Sequence, residues 1–467
     1  MLTGRRSRTA LRTVVTGAAL ALVVTACTTG GDDAPTSTPT PTPTPTAVPA
    51  TAIDLPDHAA GRAAAWVLTL LEPDHPATLA PDEVERLAPS FLEAIPATDL
   101  ATVLTQLRAS GPWVPTRADG GPDALDVRIS AGATELAMSV AVDGEGLITG
   151  LWFGEPPPDR EPAASWEELL DEVAALPART SLAAYTDGCA PVAGTPAGTA
   201  PGEALPIGSM IKLYVLGAVV DAVADGELAW DDEVVVTDAL RSLPSGRLQD
   251  EPAGTAVTVR EAAGLMISIS DNTATDLLVH AVGRERVEAA LTTMGMADPS
   301  PNIPLLTTRE LFHVGWAATP DERAAWASGD PERRRALLAG IPDGPPVVDV
   351  AALAGQPVWE QGVDWFATAD DLCAAHTALQ ELARTPAGEP VRGILAENPG
   401  VDLGDAWTYV AFKGGSAPGT VGGAWYAEDA DGRATVVVLQ TAAASVADAV
   451  STTTFAAVVA DAFRLRP

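Results

Sequence analysis

From Ile211 to Val223 the chain is an apolar run with the length and composition of a mostly buried helix. It opens on a serine and a lysine three residues apart, Ser209 and Lys212, in PIGSMIKLY. Residues at that spacing share one helical face. A hydroxyl therefore stands beside an amine that can take its proton, at a helix N-terminus where the dipole favours developing negative charge. These are the parts of a serine acyl-transfer site. A lone S-x-x-K tetrapeptide is common on solvated helix surfaces and carries little by itself. Lysine usage gives it weight: of 28 Lys plus Arg, only Lys212 and Lys413 are lysines. An amine can be made neutral by burial or by a neighbouring cation, whereas guanidinium stays charged. Retaining lysine at two positions alone points to amine chemistry at both.

The formal net charge of −34 argues against nucleic acid and anionic membrane surfaces as partners. With 47% hydrophobic residues the chain is globular and not an acidic disordered one. Five histidines and three cysteines are scattered without metal-ligand spacing, so neither metal nor cofactor is expected.

Residues 1–26 read as an export signal, with Arg5, Arg6, Arg8 and Arg12 ahead of an apolar run from Val14 to Val24. The run ends Val24-Thr25-Ala26-Cys27, which resembles a bacterial lipobox and implies lipidation of Cys27. The Arg5-Arg6 pair leaves the export route open. Residues 27–52 form a Thr/Pro tract, extended and stiff, that serves as a stalk. The expected location is extracytoplasmic, with the membrane a partner through a lipid anchor. Cys189 and Cys373 are then a permitted disulfide or two buried free thiols.

Residues 53–153 read as a small accessory α+β domain. Helical patterns at Ala59 to Leu71, Pro81 to Ile95 and Thr98 to Arg108 precede strand-like runs at Leu125 to Ile129, Glu135 to Val142 and Leu147 to Phe153. The order is similar to the cystatin-like, ketosteroid-isomerase-like cone. The Pro-rich segment 154–164 is a linker. Ser165 with Glu168 forms a capping box opening Trp166 to Leu176.

After Ser209 and Lys212 come Ser270-Asp271-Asn272, in MISISDNTATDLLV, and Phe412-Lys413-Gly414-Gly415-Ser416, in strand-like sequence. S-x-x-K, S-D-N and K-[TS]-G in this order resemble the serine penicillin-recognising enzymes, above all class A β-lactamases and related D,D-peptidases. The resemblance covers residues 165–467. It implies a β-lactamase-like α/β domain, with an antiparallel sheet and a helical subdomain, acting on a small-molecule β-lactam, cell-wall peptide or ester. It also implies Ser209 as nucleophile, Lys212 as base, Ser270 as relay and Lys413 as a second cation. Asn272, Gly414, Gly415 and Ser416 would bind substrate, the backbone of Ser209 and Ser416 forming the oxyanion hole. The order of domains is similar to the two-domain serine hydrolases encoded with clavulanic acid biosynthesis.

Two departures stand out. Gly414 occupies the place of the family's Thr or Ser, and no E-x-x-L-N occurs between Asn272 and Lys413. Glu310 follows Thr307 by three, a capping box, which leaves Glu360 and Asp364 as the remaining acids. In the family that motif's glutamate activates the deacylating water, so slow deacylation is expected here. A ligand-sensing, penicillin-binding protein with little turnover is the alternative. Strands are expected at Thr180 to Thr186, Trp407 to Lys413, Gly422 to Glu428 and Arg433 to Thr441. A covering helix is expected at Ser445 to Arg464, and a largely helical stretch from Gly226 to Ala378.

Overall fold

The structure, a computed structural model, describes residues 51–467 except Pro157, Asp187, Asp349, Asp402 and Pro467. The export signal, Cys27 and all but the end of the Thr/Pro stalk lie outside the described residues. The chain divides into two compact units between Asp159 and Arg160.

In the first unit, α1 (Ala59–Leu70) buries Ala60, Ala63, Ala64, Val67 and Leu70, the i, i+3, i+4 stripe of a surface helix. The helix expected from Pro81 to Ile95 is two pieces, α2 (Pro81–Val84) and α3 (Pro89–Ala94), followed by α4 (Ala97–Arg108). The break has a cause: Leu87 bridges Ile148, and Pro89 has no N–H to continue a helix but suits the first turn of a new one. The strands β1 (Val114–Gly120), β2 (Ala124–Ala131), β3 (Thr134–Val142) and β4 (Ile148–Gly154) form an antiparallel meander in that order. Strand β1 was not expected. Its sequence VPTRADG is polar, carries a proline and buries no residue fully, as an edge strand permits.

The second unit opens earlier than the expected linker boundary. Arg160 reaches Glu172 and Asp461, and Asp461 accepts the Ala163 N–H at 2.8 Å, so the linker's second half is anchored. Helix α5 (Trp166–Ala175) has Ser165 as its cap, accepting the Glu168 N–H. Next come β5 (Arg179–Thr186), β6 (Ala190–Pro191), β7 (Leu205–Pro206) and α6 (Lys212–Ala224). A short ladder, β8 (Glu233–Val235) with β9 (Ala256–Thr258), leads into α7 (Val259–Ser268), α8 (Asn272–Val282) and α9 (Arg284–Thr293). The helices α10 (Thr308–Phe312), α11 (Pro320–Ala327), α12 (Pro331–Leu338) and α13 (Val350–Gly355) precede β10 (Phe366–Ala367), α14 (Ala369–Leu382) and α15 (Val391–Ala396). The chain ends with β11 (Trp407–Ala417), β12 (Thr420–Asp429), β13 (Ala434–Ala442) and α16 (Thr452–Leu465).

The main sheet is antiparallel in the order β11-β12-β13-β5-β6. Both faces are buried, and period 2 sorts the side chains between them. Leu182, Ala184, Trp425, Val437 and Leu439 pack with Leu169 and Val173 of α5 and with Phe455, Val458 and Val459 of α16. Ala183, Tyr185, Ala424, Val436 and Val438 pack in the other core with α6, α8 and α14. Helix α6 is buried nearly all round, as an all-apolar helix must be. A disulfide joins Cys189 to Cys373 of α14, deciding between the two states the sequence left open.

Candidate active site

Ser209 does not lie in α6 itself. It occupies a 3-10 turn, Gly208–Ile211, and Lys212 is the first residue of the α-helix. In a 3-10 turn positions i and i+3 eclipse, so the two side chains still share a face. The turn is tight because its entry is tied down. β7 pairs with β10, Leu205 opposite Ala367 and Pro206 opposite Phe366, and the Ile207 N–H donates to the Trp365 carbonyl at 2.8 Å. The Gly208 N–H donates to Asp364 Oδ1 at 2.9 Å. Gly208 itself is left-handed, φ 48°, a conformation that glycine adopts without strain.

Lys212 is fully buried. Its Nζ lies 2.6 Å from the Ser270 carbonyl, 3.0 Å from Ser270 Oγ and 2.7 Å from Asn272 Oδ1. Ser209 is not among those partners: the amine is turned toward the S-D-N segment. Burial, and next the charge of Lys413, hold the Lys212 pKa well below the ordinary amine value, with Asp271 and Asp276 opposing. Lys413, also buried, places Nζ 3.0 Å from Ser270 Oγ and 2.9 Å from the Gly414 carbonyl, and burial pushes its pKa down to about 7. Ser270 Oγ thus stands at equal distance from the only two lysines in the sequence.

Ser270 has φ 58°, uncommon for a residue with a Cβ, and the segment around it is held at many points. Asp271 caps α8 by accepting the Ala274 N–H and also accepts those of Arg247 and Leu248. These bonds order the loop around it. Asn272, expected to offer its amide to substrate, has both ends engaged: Oδ1 takes Lys212 and Nδ2 donates to the Leu243 carbonyl at 3.0 Å. Its role here is to hold Lys212 and the 243–248 loop. Ser245 adds a bond to the Ser270 carbonyl at 2.8 Å. That loop was not read as part of the site, and its ordinary sequence, LPSGRL, gives no signal for it.

Strand β11, at the edge of the sheet, brings Gly414, Gly415 and Ser416 to the nucleophile turn in different ways. A Cβ on Gly415 would run into the Ile207 carbonyl oxygen and lie 2.8 Å from the Ser209 nitrogen; one on Gly208 would lie 2.9 Å from the Ser416 nitrogen. The two backbones touch only because both residues are glycine, and the contact gathers the amides of Ser209 and Ser416. Gly414 faces Phe412, whose ring atom stands 2.8 Å from where its Cβ would be, and contributes its carbonyl to Lys413. Ser416 is exposed and Ser209 half-buried.

Of the three acids weighed for water activation, Glu310 is the N3 residue of a capping box and pairs with Arg284 at 2.7 Å, while Glu360 is exposed. Asp364 is buried, with its Oδ1 accepting the Gly208 and Trp365 N–H groups at 2.9 and 2.7 Å. Among the described residues no group of three or more His, Cys, Asp or Glu is arranged to hold a metal.

Residues 192–462, more than half of the sequence, match the beta-lactamase enzyme family. The chain belongs to that family. Residues 55–148 match a second family, the ORF 12 gene product N-terminal domain, so this beta-lactamase family member carries such a domain ahead of its hydrolase unit. No curated protein matches the chain. Among solved structures, a beta-lactamase from Sphaerobacter thermophilus DSM 20745 is 21% identical and has a TM-score of 0.46, over 64% of this chain and 94% of that one. PBP-A is 15% identical with a TM-score of 0.44, over 66% of this chain and 98% of its own. A beta-lactamase from Chitinophaga pinensis DSM 2588 is 19% identical, TM-score 0.43, over 64% and 97%. The family assignment rests on the sequence match, and the chain is beta-lactamase-like in type.

Proposed function

We propose that the protein is a lipid-anchored, extracytoplasmic serine hydrolase that opens a β-lactam, peptide or ester carbonyl through an acyl-enzyme on Ser209. The observation that carries this reading is Ser270 Oγ, 3.0 Å from both Lys212 Nζ and Lys413 Nζ. Ser209 Oγ attacks the carbonyl carbon and gives its proton to neutral Lys212. The carbonyl oxygen becomes an oxyanion facing the amides of Ser209 and Ser416, where each donor is worth ~3 kcal/mol. Lys212 then passes a proton through the Ser270 hydroxyl to the leaving nitrogen or oxygen as the scissile bond breaks. Lys413 holds the hydroxyl and, as ammonium, draws an anionic substrate. The proton balance closes only if Lys212 starts neutral, which is the direction burial and Lys413 push it.

Deacylation is proposed to be slow, because Glu310 is paired, Glu360 is exposed and Asp364 Oδ1 is occupied by backbone. General-base assistance is worth ~100- to 10,000-fold in rate. The same observations favour a second reading, a penicillin-binding sensor whose acyl-enzyme is the signal. The Cys189–Cys373 disulfide supports an oxidising compartment. Replacing Cys27 with Ala should move the protein from membrane to soluble fractions; unchanged fractionation contradicts the anchor. Intact mass after exposure to a penicillin and to a small ester, followed by peptide mapping, tests the chemistry. An adduct on Ser209 is expected, and an adduct elsewhere refutes it.

A further inference from the structure

We propose that Asp364 is a positioning residue for the acylation step: its carboxylate holds the Ile207–Gly208 peptide so that the Ser209 amide and hydroxyl face the substrate carbonyl. This rests on the reading of Ser209 as nucleophile. Asp364 is buried, 3% exposed, and forms no ion pair among the described residues. Its charge is met by backbone instead, Oδ1 accepting from the Gly208 and Trp365 N–H groups. Burial raises its pKa to about 7, with backbone hydrogen bonds opposing. A carboxylate left this deep without a cation costs stability that well-packed apolar residues would not. Function is where such a cost is retained.

The place of the group says what it does. Asp364 lies one residue before the strand-like pairing of 365–367 with 205–207, so it closes that ladder at the end facing Ser209. The Gly208 N–H donates to Asp364 just ahead of the turn, whose first bond runs from the Met210 N–H to the Ile207 carbonyl at 3.1 Å. Where a Cβ on Gly208 would point stand Gly415 and the Ser416 nitrogen, 2.9 Å away, with no room for it. The peptide that aims the Ser209 amide is thus clamped between a carboxylate and the β11 backbone. Releasing the carboxylate side lets that peptide rotate toward bulk conformations of glycine, which allow many.

The test compares Asp364→Ala, Asp364→Asn and the parent in single-turnover acylation by a chromogenic β-lactam or ester. Rate constant and noncovalent Kd are fitted separately. Alanine removes the acceptor and is expected to slow acylation about 100-fold, the scale of a ~1 Å misplacement, with Kd changed little. Asparagine keeps an acceptor at Oδ1 and is expected to recover to within about 5-fold of the parent, the difference between neutral and charge-assisted bonds. If the alanine variant fails to fold, Asp364→Ser, which is too short to reach Gly208, replaces it. Parental rates in the alanine or serine variant overturn the proposal. So does an asparagine variant as slow as alanine, since charge and not the acceptor would then be what matters. A parent protein that forms no Ser209 adduct overturns the nucleophile assignment and this role with it, an outcome separable from the other two.

Discussion

The two walls of the Ser209 site are built by different means. On the S-D-N wall, side chains do the holding: Asn272 ties Lys212 to the Leu243 carbonyl, Asp271 gathers three amides, and Ser270 stands between two amines. On the β11 wall Lys413 reaches Ser270, but Gly414 and Gly415 carry no side chain, and the peptide of Gly415 lies directly on the Ile207–Ser209 turn. The difference teaches what each wall can tolerate. A wall of side-chain bonds fails gradually, one bond at a time, whereas a wall of touching backbones has no partial state.

The largest effect is therefore expected from Gly415→Val. Its branches would have to displace backbone and not a flexible side chain, so acylation should be lost by more than ~100-fold and stability by about 1–3 kcal/mol. Thermal melting and adduct formation check both. A folded, fully reactive variant would show that the β11 wall is not closed by contact. Next in size is Lys212→Arg on the other wall, which puts a fixed charge where a neutral amine is needed and so removes the base. Acylation should fall ~100- to 10,000-fold at pH 7, and native-rate acylation would mean that another group takes the Ser209 proton.

A smaller loss is expected from Asn272→Ala, which leaves Lys212 with two of its three acceptors and the Leu243 carbonyl without its donor. The scale is about 10- to 100-fold, from a net ~1–3 kcal/mol for an unmet buried group. The smallest effect separates the two lysines by pH. Lys413, with a pKa of about 7, is ammonium below that value and neutral above it. KM for a carboxylate-bearing substrate should therefore rise about tenfold from pH 6 to pH 8, with a neutral ester unaffected. A KM for the ester that climbs equally would place the titration elsewhere.

This contrast also explains what could be read in advance. Ser209, Lys212, Ser270 and Lys413 are side-chain chemistry at fixed order and spacing, and the S-D-N wall was legible in them. The strands β5, β12 and β13 were legible too, because short, continuously apolar runs bounded by turn residues leave few alternatives. The β11 wall was only half legible: Gly414 and Gly415 stand out as letters, but that one faces Phe412 and the other Ile207 depends on which strand edge meets which turn. Asp364 was visible merely as an acid in PVWEQGVDWFATADDL. Its bond to Gly208 spans 156 positions of sequence, and no local pattern encodes such a contact. The edge strand β1 was missed for a related reason, since a strand that buries little needs no apolar alternation.

One measurement bears most directly on the central claim, that the geometry favours acylating Ser209 over releasing the acyl group. Stopped-flow mixing of the protein with a chromogenic penicillin or cephalosporin, with intact mass recorded on quenched samples, follows both steps at once. A burst of about one equivalent, a slow phase and a persistent adduct mapped to Ser209 are the predicted result, given deacylation without the ~100- to 10,000-fold help of a general base. Rapid linear hydrolysis with no trapped adduct would contradict it and would require an acid, Asp364 first among them, to reach the hydrolytic water.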